Sequence, residues 1–252
     1  MSGSDGMRDR VVECRKLSKK FRWYERHDML KSTVAHLWQR PKQVWEWYVL
    51  KDVDLEIRHG ERVGIIGRNG CGKTTLLKLL TGIYTPTSGS IKIFTGRKLA
   101  LIELGVGFYP DLTGRENIRL NWVFNGLARK ELKRCFDDIV EFANIKDFLD
   151  TPLKYYSSGM TARLGFSIVA HAKPELLIVD EILAVGDIEF QQRCYEKIAE
   201  LCREGVTLIL VSHNINDVEK MCSRALWLDG GGFRYDGEVN EAVKQYKQAV
   251  FG

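Results

Sequence analysis

The sequence predicts an α/β protein whose mainly parallel sheet is covered by helices on both faces. Short apolar runs typical of buried strands recur along the chain, as in "RVGIIG" (62–67), "LLIV" (176–179) and "TLILVS" (207–212). A segment of helical periodicity, "DIEFQQRCYEKIAELCREG" (187–205), separates the last two runs. Strands that alternate with helices pair in parallel, because each helical connection crosses over the sheet.

Length and composition are those of an ordinary globular protein. The 252 residues, 44% hydrophobic and 28% charged, suffice for one large domain or a core with a smaller lobe. The opening "MSGSDGM" lacks the apolar region of a signal peptide, so we expect residues 1–10 to be a flexible tail and residues 11–252 to form the domain. The chain has no run of about eighteen apolar residues, so no membrane span is expected.

Cysteine spacing and net charge exclude some classes of function. Six cysteines lack the paired spacing of zinc sites and are expected as reduced thiols. The net charge of +5 slightly favours anionic partners, although a solvated basic surface explains it as well. The basic residues are not concentrated in one patch, so no nucleic-acid partner is expected.

The other elements follow from the apolar pattern. "VVEC" (11–14) begins a first strand, and alternation in "LKDVDLEI" (50–57) predicts a second. "KTTLLKLLTG" (73–82) predicts a helix closed by its C-terminal glycine, and "RALWLDGG" (224–231) predicts a late strand. Residues 116–172 contain only helical periodicity, which predicts a helical subdomain inserted into the α/β chain.

Residues 22–48 form an extended insertion between the first two strands. The insertion is rich in aromatic and basic residues and holds four of the six tryptophans: Trp23, Trp38, Trp45 and Trp47. Apolar residues of "MLKSTVAHLWQR" (29–40) fall on one helical face. This composition suits a membrane interface. Packing against a membrane partner or against the chain itself remains an alternative.

The most specific motif is "GRNGCGKTT" at residues 67–75, which matches G-x-x-x-x-G-K-[ST] between a strand and a helix. Such a loop curls its backbone N–H groups around phosphate oxygens, Lys73 adds a full charge, and the Thr74 hydroxyl is suited to Mg²⁺. Cys71 lies at a helix N-terminus, a setting that lowers thiol pKa values. The predicted nucleotide-binding residues of this loop are Gly67, Arg68, Asn69, Gly70, Cys71, Gly72, Lys73, Thr74 and Thr75.

Two further strand ends carry candidate catalytic groups. Asp180 ends the buried run in "LLIVDE" and is expected to reach the metal, while Glu181 is expected to orient and deprotonate the attacking water. His213 follows the strand at 207–212 and is expected to sense the terminal phosphate. In such sheets ligands bind at the carboxyl ends of the strands, so these groups and the loop should share one edge.

These three pieces would also suit a GTPase or a small-molecule kinase. The sequence lacks the guanine-reading N-K-x-D motif, and neither class needs "YSSGM" (156–160) at a helix start shortly before the second acid. At this point the sequence resembles the ATP-binding cassette family, in which a Ser-Gly-rich signature precedes the acidic strand. The resemblance covers residues 11–245. It implies a P-loop NTPase core with a mainly parallel sheet, an N-terminal antiparallel β portion and an inserted helical subdomain.

The resemblance assigns the signature a role between two chains. "YSSGM" takes the place of the usual Leu-Ser-Gly-Gly-Gln, so Ser157, Ser158 and Gly159 would face the γ-phosphate of a nucleotide held by the loop of a second copy. A hydroxyl and a helix N-terminus suit a phosphate. A plain serine N-cap explains Ser157 alone, but not the whole string.

Other family positions correspond less closely. Asp187 in "LAVGD" occupies the loop that crosses between copies, and Phe21 the place of the aromatic that stacks on adenine. Trp23 or Tyr24 are alternatives to Phe21, as is a purely structural aromatic. The family's metal-side glutamine is not visible, and Glu103 lies near its place.

The combination of "ELGVGFYPDLTGREN" (103–117), "YSSGM" and "DEILAVGD" (180–187) is similar to ATP-binding subunits that export bacterial surface polysaccharides. This similarity implies a homodimer that sandwiches two ATP molecules with Mg²⁺ and drives two copies of a membrane-spanning permease. Lys73, Glu181 and His213 would be the catalytic residues. The complex would move a lipid-linked polysaccharide, with this chain peripheral on the cytoplasmic face of the bacterial inner membrane.

Three rival functions remain open. A soluble cassette ATPase typically joins two cassettes or carries coiled coils, which are not visible here. A subunit exporting another lipid or a drug-like substrate is disfavoured only by the resemblance. A binding module without ATPase activity is disfavoured by Glu181 and His213.

Overall fold

The computed structural model describes residues 9–24, 44–101, 107–180, 187–212 and 214–251. Within these ranges the strands are β1 Arg10–Tyr24, β2 Val44–Arg58, β3 Arg62–Ile66, β4 Ser88–Ile93, β5 Lys98–Leu101, β6 Leu176–Asp180, β7 Thr207–Val211, β8 Arg224–Asp229 and β9 Gly232–Glu238. The helices are α1 Lys73–Thr81, α2 Gly114–Phe124, α3 Arg129–Ala143, α4 Ser158–His171, α5 Ile188–Arg203, α6 Ile215–Met221 and α7 Val239–Phe251. None of these helices is both long enough and apolar enough to cross a bilayer.

The predicted α/β fold is confirmed. The main sheet has the strand order β5-β6-β7-β3-β8-β9, and every pair is parallel except β8 with β9. A second sheet, β2-β1-β4, is antiparallel, as expected for the N-terminal portion. The division into a tail of residues 1–10 and a domain of residues 11–252 stays a prediction.

The two faces of the main sheet pack against different layers. Side chains alternate along β6, so Leu176 and Ile178 join the apolar cluster of α1 and the antiparallel sheet. Leu177 and Val179 join the cluster that contains α5, α6 and α7. This double burial explains why β6 reads as one continuous apolar run.

Residue pairing places the carboxyl ends of β3, β6 and β7 at the same edge of the main sheet. Val211 of β7 pairs with Ile65 of β3 on one side and with Asp180 of β6 on the other. Neighbouring strands lie about 4.8 Å apart, so the Asp180 backbone is roughly 10 Å from the strand that leads into the loop at 67–75. The main sheet therefore has the edge at which the loop and the candidate groups were expected.

The predicted helical segment is made of α2, α3 and α4. Thr113 caps α2 and forms a capping box with Glu116. Phe142 of α3, Phe166 of α4 and Phe190 of α5 contact one another with ring centroids 5.6–6.0 Å apart. These rings attach the helical segment to the helix layer of the main sheet. Its status as a subdomain at residues 116–172 stays a prediction.

β1 and β2 reach further into the predicted insertion than the apolar pattern indicates. Phe21 pairs with Trp47 and Trp23 with Trp45, so residues 22–24 and 44–48 are strand. Aromatic cross-strand pairs favour such a ribbon, which explains the extension. The helix predicted at 29–40 lies outside the described residues.

Candidate functional site

The loop at residues 67–75 has its lysine folded back onto its own backbone. Lys73 is only 6% exposed, and its Nζ donates to the carbonyl oxygens of Gly67 (2.8 Å) and Arg68 (3.2 Å). Because both acceptors are neutral carbonyls, the ammonium can exchange them for charged phosphate oxygens at a net gain. The position of Lys73 fits its predicted role.

Two glycines let this loop pack tightly. A Cβ on Gly67 would overlap the Leu228 carbonyl oxygen of β8. Gly72 has φ +113, and a Cβ there would lie 3.0 Å from Cγ1 of Val49 in β2. The loop is therefore clamped between the main sheet and the antiparallel sheet, with no room for side chains at these positions.

A cavity of about 300 Å³ lies directly over the loop. Its lining residues are Val49, Asn69, Gly70, Gly72, Lys73, Thr74 and Thr75. Thr74 is exposed in the first turn of α1, whose leading N–H groups have no intrahelical acceptor. A helix N-terminus, a lysine and a hydroxyl lining one cavity are suited to a phosphate chain.

The expectation of a lowered pKa at Cys71 is wrong. Burial of the thiol raises its pKa, and the nearby positive charge of Lys73 only partly opposes this effect. The side chain is half-buried beneath the loop, so loss of hydration outweighs the favourable charge. Cys71 fits as a small residue of the loop and not as an activated thiol.

The second strand end supplies oxygen donors for a cation. Asp180 ends β6 and is partly exposed, while Glu181 and Glu103 lie outside the described residues. Within the described ranges, no three His, Cys, Asp or Glu side chains form a metal-binding group. The Thr74 hydroxyl and the Asp180 carboxylate are hard oxygen donors. They fit Mg²⁺, which takes few protein ligands and completes its shell with water and phosphate oxygens.

His213 also lies outside the described residues, but its two neighbours are firmly held. Asn214 caps α6 and donates from its backbone N–H to the Ser212 hydroxyl at 3.1 Å. Asp217 accepts from Ser212 Oγ (3.3 Å) and from Asn214 Nδ2 (3.1 Å). Burial, together with a hydrogen bond to Asp217, raises the pKa of Tyr195 to about 12. Sequence reasoning missed this network; the only signal for it was the run of polar residues after β7.

Ser157 is the N-cap of α4. Its Oγ accepts from the Met160 N–H at 3.1 Å, which bears out the plain N-cap that sequence reasoning offered as the alternative. Capping uses the hydroxyl as an acceptor, so its O–H remains a donor. The Ser158 and Gly159 N–H groups lie in the first turn, where a helix offers them no acceptor. Helix capping and phosphate binding are therefore compatible at this position.

The signature residues are not part of the cavity over the loop. Neither Ser157, Ser158 nor Gly159 is among its lining residues. Contact of these donors with the nucleotide of a second copy stays a prediction.

Asp187 connects two helices within the chain. Its carboxylate caps α5 by accepting from the Phe190 N–H at 2.8 Å, and it lies 3.6 Å from the guanidinium of Arg163 in α4. Arg163 Nε is buried and has no hydrogen-bond partner in the part of the chain that the structure describes. Asp187 is still 63% exposed, which leaves it accessible to a partner.

Phe21 sits within an aromatic cluster instead of standing alone. Its ring centroid is 6.2 Å from that of Trp47 and 5.6 Å from that of Tyr84, and Lys19 Nζ lies 5.2 Å from it. Trp47 is 49% exposed and Trp23 54% exposed, so both offer ring surface. Stacking of Phe21, or of Trp23 or Tyr24, on a base stays a prediction.

Comparison with known proteins agrees with this geometry. Residues 50–184 match the ABC transporter family. The chain is 42% identical over 233 residues to the O-antigen export system ATP-binding protein RfbB of Klebsiella pneumoniae, covering 90% of this chain and 94% of the relative. It is 47% identical over 201 residues to the protein of the same name from Myxococcus xanthus, covering 80% of this chain but 46% of the relative.

Similarity extends to teichoic acid export and to solved structures. The chain is 40% identical over 234 residues to the teichoic acids export ATP-binding protein TagH of Shouchella clausii, covering 93% of this chain and 64% of the relative. An ATP binding subunit of an ABC transporter superposes with a TM-score of 0.75 at 23% identity, covering 94% of this chain and 93% of that one. A dimeric ATP-binding cassette bound to ADP and phosphate gives 0.70 at 20% identity, with 91% and 99% covered. The chain belongs to the ABC transporter family and has the fold of its ATP-binding subunits.

Proposed function

We propose that this chain is the ATP-hydrolysing motor of an exporter that moves a lipid-linked polysaccharide across the cytoplasmic membrane. Membership of the ABC transporter family supports the ATPase activity. The proposed substrate class rests on one relative, a protein named for O-antigen export that is similar over 90% of this chain. A second relative, which matches 93% of this chain, is named for the export of teichoic acids.

The first half of the proposed nucleotide site is the loop of one chain. The triphosphate enters the cavity bounded by Val49 and the loop, where Lys73 exchanges its carbonyl partners for phosphate oxygens. The base lies toward the aromatic cluster of Phe21. A bound Mg²⁺ would neutralise phosphate charge, with Thr74 and Asp180 as its protein ligands.

The second half of the site comes from another copy of the chain. There the Ser157 hydroxyl and the Ser158 and Gly159 N–H groups donate to the γ-phosphate, so ATP closes the dimer and ADP does not. Glu181 orients and deprotonates the attacking water, and His213 contacts the γ-phosphate. Loss of the γ-phosphate reopens the dimer, and this cycle moves a membrane-spanning permease.

In this proposal the chain is peripheral on the cytoplasmic face of the bacterial inner membrane, where ATP is available. Two copies contact two permease subunits. The half-exposed tryptophans at the tip of the β1–β2 ribbon, Trp23 and Trp45, suit a protein or lipid surface near that membrane.

Export of a glycan can be tested in the organism that encodes the chain. The gene is deleted and replaced by the wild type or by Glu181→Gln, and lipid-linked polysaccharide is measured inside the cell and at its surface. We expect the deletion and Glu181→Gln to accumulate the lipid-linked polymer inside and to lose it from the surface. The wild type should restore export.

A matched control makes the same chemical change elsewhere. Glu204→Gln removes an exposed carboxylate at the end of α5 whose described partner is Lys173, and it should leave export intact. Normal surface polysaccharide in the deletion strain would reject the proposed substrate class. If a different lipid or a drug-like compound accumulated instead, the chain would serve another exporter.

A further inference from the structure

Two segments of the helical region run side by side just before the signature helix. Residues 110–115 and 149–154 are joined by four backbone hydrogen bonds between N–H and C=O groups: Lys154 to Pro110 (2.8 Å), Leu153 to Leu112 (2.9 Å), Arg115 to Leu149 (2.9 Å) and Gly114 to Thr151 (3.3 Å). This seam ends two residues before Tyr156, which directly precedes the N-cap Ser157. The path of the first segment therefore sets where α4 begins.

The first segment is itself fixed by a buried side chain. Asn117 is fully buried, and its Oδ1 accepts from the Tyr109 N–H at 2.8 Å. Its Nδ2 donates to the carbonyl oxygens of Tyr109 (3.0 Å), Leu112 (2.9 Å) and Thr113 (3.0 Å). A buried, multiply bonded amide holds residues 109–113 in one conformation, because leaving it unpaired is costly.

Tyr156 closes the contact between the two segments. Its hydroxyl donates to the Phe148 carbonyl oxygen at 2.7 Å. The same hydroxyl occupies the space where the Cβ of a side chain at residue 114 would lie. Such a Cβ would also be 3.3 Å from Cζ of Tyr156 and 3.2 Å from the Leu149 carbonyl oxygen. The Tyr156 ring fits in this position because residue 114 is glycine. Burial raises the pKa of Tyr156 to about 12, so the hydroxyl stays a neutral donor.

We infer that Gly114 and Tyr156 form a joint that positions Ser157 for the nucleotide of a second copy. Tyr156 is a positioning residue: it touches no nucleotide, but it fixes the peptide that carries the capping serine. The inference rests on the proposed function, because it assumes that Ser157 meets a γ-phosphate. A displacement of about 1 Å at such a donor can lower a rate by up to roughly a hundredfold.

The test is a mutant cycle on the full-length chain. Gly114→Ala forces the new methyl group against the Tyr156 hydroxyl. Tyr156→Leu removes both the hydroxyl and Cζ, and the double variant removes the clash. Gly96→Ala is the matched glycine control, since a Cβ there meets nothing within 4 Å. Tyr155→Leu is the matched tyrosine control, because Tyr155 is 70% exposed.

Three quantities are measured for each variant: kcat for ATP hydrolysis, the Kd of a fluorescent ATP analogue, and Tm. We expect Gly114→Ala to lower kcat by about tenfold to a hundredfold with Kd within about twofold of wild type. Tyr156→Leu should lower kcat as well, because it removes the hydrogen bond from the tyrosine to the Phe148 carbonyl oxygen. The double variant should be no slower than Tyr156→Leu, because the Gly114→Ala methyl group acts mainly through the tyrosine hydroxyl. The two controls should match wild type in all three quantities.

Two results would overturn the inference. One is a wild-type kcat in Tyr156→Leu, or a double variant whose loss equals the product of the two single losses, since Gly114 and Tyr156 would then not act together on Ser157. The other is a parallel loss of nucleotide affinity, Tm and kcat, which would make the contact one of general packing. Ser157→Arg serves as the reference for the proposed function: near-wild-type turnover in that variant would reject the role of Ser157 itself, whatever the cycle shows.

Discussion

Cys71 shows how burial decides the chemistry of a single side chain. Its thiol lies next to Lys73 and near a helix start, and both features favour the thiolate. Desolvation nevertheless raises the pKa above its ordinary value of 9.0. The group is therefore protonated at neutral pH in the folded loop.

This protonation predicts slow alkylation of Cys71. We expect iodoacetamide to label Cys71 more slowly than free cysteine at pH 7–8, and the rate to keep rising above pH 9, because only the thiolate reacts. Labelling is followed by mass spectrometry of the peptide that contains Cys71, with Cys71→Ser as the control for assignment. ATP should slow the labelling by covering the loop. A rate that levels off below pH 9 would contradict the raised pKa.

Sequence reasoning correctly anticipated the local structure around residues that have a local signature, while their roles in binding stay predictions. The loop glycines, Lys73 and Thr74 were predictable because strand, loop and helix follow one another directly in the chain. The neutral state of Cys71 was not predictable, because the side chain packs against an apolar cluster whose strands are distant from it in sequence. Glu181 and His213 keep their predicted roles as predictions.

At the scale of elements, the start of α5 combines two tasks in one carboxylate. Asp187 caps the helix through the Phe190 N–H and pairs with Arg163 of α4. A helix cap contributes about 1 kcal/mol to stability. The ion pair with Arg163 contributes less, because the Asp187 side chain is 63% exposed. The two contributions can be separated because asparagine caps helices as well as aspartate does.

This separation predicts different results for two substitutions. Asp187→Asn should leave the free energy of unfolding close to wild type, and Asp187→Ala should lower it by about 1 kcal/mol, as measured by urea denaturation. Both should lower kcat if the charge meets a second copy. Equal destabilisation by the two variants would show that the ion pair with Arg163, and not the cap, carries the stability.

The order of β1, β2, β3, β6, β7 and β8 was predictable from apolar periodicity, whereas β4, β5, β9, α7 and the contacts between elements were not. The strands and helices arise from patterns within a few residues of one another. Gly114 meets Tyr156 only when α2 packs against α4, and Arg163 meets Asp187 only when α4 packs against α5. The extension of β1 and β2 was missed for a related reason: Trp23 pairs with Trp45 across most of the predicted insertion.

At the scale of the whole molecule, the proposed ATP site is divided between two regions of the chain. The cavity over the loop is lined by residues of β2, the loop and α1, whereas the capped start of α4 lies outside it. In the proposed function, the loop of one chain binds the nucleotide and Ser157 of a second chain meets its γ-phosphate. The γ-phosphate would then be the contact that joins the two chains.

This division predicts that binding and dimerisation respond to different variants. With Mg²⁺, ATP should turn Glu181→Gln into a dimer, because the trapped γ-phosphate holds both halves, whereas ADP should leave it monomeric. Adding Ser157→Arg to Glu181→Gln should abolish the dimer but keep nucleotide binding. Molar mass is measured by light scattering, and binding by the rise in Tm. ATP at about 100 times its Kd stabilises the folded chain by roughly 2.7 kcal/mol. That rise should persist in the double variant, whose stability without ATP should itself be lower by about 1 kcal/mol because the cap is lost. A dimer that forms equally with ADP, or that survives Ser157→Arg, would show that the chains associate through another surface.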